Sequence, residues 1–148
     1  MYWLDYLETG RDSGELDWST IGGTWGIATS RLALWQRSAD GFYPDYFEKI
    51  LAKIGRTDNK SSTLLSNYIA RYFEDIWSHL QEIAKVMRSG AKVYYIVGNS
   101  VFYNILVPVE RLFAQMLTEA GFSNVRITQI RKRNSKKELY EFAVSAVR

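Results

Sequence analysis

The chain has 148 residues, 47% of them hydrophobic and 24% charged, with 19 basic against 16 acidic side chains, ten tyrosines, five tryptophans, one histidine and no cysteine. A single domain of this size buries roughly two thirds of its unfolded surface and folds without disulfides or a structural metal. Cysteine ligation and histidine-rich metal clusters are excluded, no apolar run approaches the ~20 residues of a bilayer span, and the opening residues lack a signal-peptide pattern, so a non-membrane, cytoplasmic protein is expected.

Residues 1–61 hold no single hydrophobic period for long. Aromatic side chains alternate there with Gly22, Gly23, Gly26 and Gly41, and the acidic residues Asp5, Glu8, Asp12, Glu15 and Asp17 open the chain. The segment reads as loops and short helices, one from about Thr29 through Trp35 and another from Tyr46 to about Lys53, with a loop from Gly55 to Ser61. From Ser62 the pattern changes: Leu65, Ile69, Tyr72, Phe73, Ile76, Leu80, Ile83, Ala84 and Met87 recur at steps of three and four, which predicts one long amphipathic helix stopped at Gly90.

Ala91 to Val97 is almost continuously apolar, the signature of a strand buried on both faces in a parallel sheet, and Gly98-Asn99-Ser100 breaks it. Pro108 then opens a helix carrying Val109, Leu112, Phe113, Met116 and Leu117, which closes at a left-handed Gly121 cap. Two last strands, around Val125–Gln129 and Leu139–Val147, flank the basic residues Arg131, Lys132, Arg133, Lys136 and Lys137, and their short connection predicts an antiparallel pair.

Ile96-Val97-Gly98-Asn99-Ser100, the helix at 109–120, Ala120-Gly121-Phe122 and the run from Arg131 to Phe142 together resemble the carboxyl portion of site-specific DNA amino-methyltransferases, over about residues 62–148. The resemblance implies an α/β fold: a partial Rossmann-like methyltransferase sheet with a terminal antiparallel hairpin, preceded by a mostly helical and loop segment at 1–61 that stands for the family's variable region. It also implies S-adenosylmethionine as the methyl donor, DNA as partner, and transfer to an exocyclic amine of cytosine or adenine, as in restriction-modification. The family's Phe-x-Gly-x-Gly donor loop and its Pro-Pro-Tyr type tetrapeptide are both absent, since Pro44 and Pro108 are the only prolines. The chain is therefore expected to lack catalytic residues of its own, to bind the donor poorly alone, and to need either a complementary methyltransferase chain or self-association through an exposed sheet edge. The alternative is a non-catalytic DNA-binding or assembly protein.

Candidate site residues follow, each with a plainer reading beside it. Asn99, Ser100, Tyr103 and Asn104 lie beyond a strand end, where open sheets place ligands, and they either position a base or simply shape a turn. Arg131, Lys132, Arg133, Lys136 and Lys137 either contact phosphates or guard a sheet edge. Trp25 and Trp35 either stack on a base or pack internally. His79, without a nucleophile beside it, reads as a surface or half-buried histidine and not as a general base.

Overall fold

A computed structural model describes residues 7–23, 25–133 and 138–148. Thr9 starts the first helix, α1 (Gly10–Ser19), through a reciprocal cap: the Asp12 amide donates to Thr9 Oγ1 at 3.2 Å and the Thr9 amide to Asp12 Oδ2 at 2.8 Å. Hydrogen bonds to its carboxyl from the Thr9 side chain and the Thr9 backbone amide hold Asp12 below its ordinary range. Helix α2 (Trp25–Leu32) follows, with Arg31 paired to Glu15 of α1. It starts earlier than the predicted helix and leaves Trp35 outside, packed against the core from the following segment.

Helix α3 (Asp45–Gly55) buries Phe47, Leu51 and Ile54 against α4 (Ser62–Val86), whose apolar stripe buries Ile69, Phe73, Ile76, Leu80 and Ala84 as its three-four spacing predicts. Two small residues let these helices approach closely. Ser66 Oγ donates to the Leu51 carbonyl at 3.0 Å and Ser62 Oγ to that of Gly55 at 3.1 Å, satisfying carbonyls at the end of α3. Phe47 meets Phe73 edge to face at 4.9 Å between ring centres.

Strand β1 (Lys92–Gly98) follows a turn at Gly90, which takes φ +80. A short hairpin of β2 (Ser100–Phe102) and β3 (Ile105–Val107) comes next, then α5 (Val109–Glu119), β4 (Ser123–Lys132) and β5 (Tyr140–Val147). Gly121 caps α5 at φ +85, and the Phe122 amide returns to the Leu117 carbonyl at 3.0 Å. One core joins α3, α4, α5 and the inner sheet face, with Phe113, Leu112, Met116, Val144 and Ala146 nearly or wholly inaccessible.

The expected Rossmann-like parallel sheet is overturned. The three-stranded sheet has the order β1-β5-β4, and β2 and β3 form a separate pair; every strand pairing among the described residues is antiparallel. Nor is β1 buried on both faces: Val93, Tyr95 and Val97 turn inward, whereas Lys92, Tyr94 and Ile96 are exposed. An unbroken apolar run looks the same whether its second face is covered or open, which is why the sequence pattern misled. The last two strands do pair antiparallel, with register shifts at Ser123/Arg126 and Gln129/Arg131. Among the described residues no helix is long and apolar enough to cross a membrane, and no cluster of His, Asp or Glu could hold a metal.

Candidate interaction surface

Asn99 is buried directly after β1, and its side chain is fully engaged by the protein itself: Oδ1 accepts the Tyr140 amide at 2.8 Å and Nδ2 donates to the Glu138 carbonyl at 3.3 Å. Ser100 opens β2 opposite Val107 and faces a hollow of about 240 Å³ whose apolar wall includes Tyr68, Tyr72 and Phe102. Tyr103 and Asn104 form the tip of the β2–β3 hairpin at φ +48 and +61, the paired positive values of a type I′ turn. These four residues are neighbours in sequence but do not converge: one is a strand latch, one borders a hollow and two make a turn.

The basic strand end is largely neutralised by its own neighbours. Arg131 grips Glu141 with two bonds, of 2.6 and 3.1 Å, and Lys132 meets Glu138 at 2.8 Å while lying over the Tyr140 ring. Arg131 accordingly holds the Glu141 carboxyl below its ordinary range, and Lys132 does the same for Glu138. Arg133 is exposed and reaches back to the Asn99 carbonyl at 3.4 Å. Lys136 and Lys137 lie outside the described residues.

Trp25 packs edge to face on Tyr68 at 5.3 Å. His79 is half-buried, and its Nε2 lies 3.1 Å from the Tyr95 hydroxyl, a link between α4 and the inner face of β1. Arg71 stacks over Trp18, 3.3 Å from the ring centre, and pairs with Asp75 at 3.7 Å. Burial raises the Asp75 carboxyl above its ordinary range, and Arg71 only partly opposes this.

What sequence reasoning missed is the outer face of the sheet. Tyr94 and Ile96 are 66% and 64% exposed on adjacent outward positions of an edge strand. Beside Tyr94 lies an open basin of about 310 Å³, lined by Lys92, Asn124, Arg126 and Ser145 among others. Neither Lys92 nor Arg126 makes an ion pair or hydrogen bond with its side chain among the described residues. The available signal was the sign of the charge within 92–98 and 123–132, segments that contain basic but no acidic residues.

No family model, curated protein or solved structure matches the chain. The methyltransferase resemblance and the functions it implied, DNA methylation and restriction-modification included, are therefore corrected: among the described residues the sheets are antiparallel and do not form the parallel Rossmann-type sheet of that family. Gly22 and Gly23 do not supply a donor loop either, because they join two helices, and a Cβ on Gly23 would clash with the Asp17 carbonyl oxygen.

Proposed function

We propose that this chain is a homotypic assembly module in which the open edge of β1 pairs with β1 of a second copy, merging two sheets into one. The observation that carries the reading is the difference between the sheet's two edges. The β4 edge is guarded by two register shifts and by Arg126, Arg131 and Lys132, the devices that discourage edge pairing. From Val93 to Gly98 the β1 edge has no charge, no proline and an unbroken register with β5.

Backbone geometry supports a specific register. Arg148 donates its amide to the Ala91 carbonyl at 2.8 Å, which sets the alternation of the ladder. Val93, Tyr95 and Val97 thus turn their amides and carbonyls toward β5, leaving those of Lys92, Tyr94, Ile96 and Gly98 for the edge. An antiparallel pairing centred on Tyr95 sets Tyr94 opposite Ile96 of the second copy and Lys92 opposite its Gly98. Both exposed apolar side chains gain a cross-strand partner, worth roughly 0.2–1 kcal/mol per pair, and no like charges face each other.

Sedimentation equilibrium tests the reading. Proline is tolerated on an open edge but removes the amide that pairing needs, so Ile96→Pro should give a folded monomer, checked by circular dichroism, where the unaltered chain is a dimer. A monomeric unaltered chain, or a dimer indifferent to Ile96→Pro, rejects it.

A further inference from the structure

Lys92, Tyr94 and Arg126 converge on one basin of the open sheet face, and we infer that this basin binds single-stranded nucleic acid, one base stacking on Tyr94 while the two cations hold flanking phosphates. The strand register builds it. Tyr94 and Arg126 both stand opposite Ser145, so aromatic ring, small hydroxyl and guanidinium form one row across all three strands. Neighbouring strands lie about 4.8 Å apart, which separates Tyr94 and Arg126 by two such steps over a floor no taller than serine. Asn124, held at φ +51 beside the register shift, lines the same basin from the β4 side, and Lys92 stands two residues before Tyr94 on the same face.

Charge and shape favour a nucleic-acid strand over other anions. Strands β1 and β4 contain no acidic residue, and Glu141, the acid of β5, is held by both arms of its bond to Arg131. Neither Lys92 nor Arg126 is paired with a carboxylate among the described residues. In the row beyond Tyr94, Ile96, Ala143 and Thr128 carry the floor onward, so the surface is a track open at its ends and not an enclosed phosphate cup. Stacking requires an unpaired base with an exposed π-face, which a single strand offers and a paired duplex does not.

The basin lies within one copy, so its function does not depend on edge pairing. Fluorescence anisotropy with a labelled oligothymidine, its duplex and a phosphoserine peptide is the test, run on the unaltered chain and on Ile96→Pro. The single strand should bind both proteins and weaken as salt rises. Tyr94→Ala should lower affinity roughly tenfold or more while Tyr94→Phe retains it. Lys92→Ala and Arg126→Ala should each reduce the salt slope by about 0.7. No binding of the single strand at low salt, equal binding of the duplex with indifference to Tyr94→Ala, or binding of the phosphopeptide alone would each overturn the inference.

Discussion

Asn99 holds Tyr140 by its backbone: the side-chain oxygen accepts the Tyr140 amide at 2.8 Å, at the point where the β1–β5 ladder runs out. Asn99 Nδ2 donates to the Glu138 carbonyl, so one buried side chain secures the entry of β5. Asn99→Ala leaves the Tyr140 amide without that acceptor and should cost about 1–3 kcal/mol in urea unfolding. Asn99→Asp retains the acceptor but sets carboxylate oxygen against the Glu138 carbonyl. It should also destabilise, with the loss shrinking as acid restores a proton to the new carboxyl; equal stability of both variants and the unaltered chain would disprove the latch.

Asp75 predicts a pH dependence. Burial raises its folded carboxyl above the ordinary value of 3.8. The folded state therefore binds the proton more tightly than the unfolded state, and the resulting stability is present at acid pH and lost as pH rises through the raised value. Asp75→Asn removes this dependence. The stability of Asp75→Asn relative to the unaltered chain should increase as pH climbs from below 3.8 toward neutrality, and a flat difference across that window contradicts the assignment.

The hairpin tip gives a conformational test. Asn104 sits at φ +61, where asparagine and glycine are tolerated and a Cβ without local hydrogen bonding is strained. Asn104→Ala should lower stability by about 1–2 kcal/mol, whereas Asn104→Gly should stay within about 1 kcal/mol of the unaltered chain. Thermal unfolding that ranks alanine above glycine would count against this turn.

Tyr46 makes the opposite case. Its hydroxyl is buried and has no hydrogen-bond partner among the described residues, and burial raises the phenol above its ordinary range, with Arg111 opposing the shift and Glu110 adding to it. Tyr46→Phe removes an unpaired polar group from the interior and should stabilise the fold by about 1 kcal/mol in denaturant titration. A loss of that size would mean that the hydroxyl is satisfied.

Elements whose stability comes from a broad apolar face were legible in the sequence. The stripe of α4, the Pro108 opening and Gly121 close of α5, and the antiparallel final strands all follow from local pattern. Helix α1 did not, because it buries no side chain and is fixed by the Thr9–Asp12 cap instead of by periodicity. The β2–β3 hairpin escaped because three-residue strands carry too little alternation and Tyr103-Asn104 is not the usual Asn-Gly turn signal. Strand direction was misread for a different reason: parallel and antiparallel neighbours demand the same apolar inner positions. Among candidate site residues, the charge of Arg131 and Lys132 was visible, but its cancellation depended on a register that sets Glu141 opposite Arg131 and on the bond between Lys132 and Glu138.

The central place of β5 bears on how the molecule comes into being. Among the described strands β1 and β4 are not paired with each other; each is hydrogen-bonded to the strand formed by residues 140–147. While a ribosome is still adding the residues before 140, the helices can already gather around Phe47, Phe73 and Phe113, but β1 has both edges bare. For that interval the nascent chain is a half-built sheet, most open to wrong pairing with its neighbours on the same messenger.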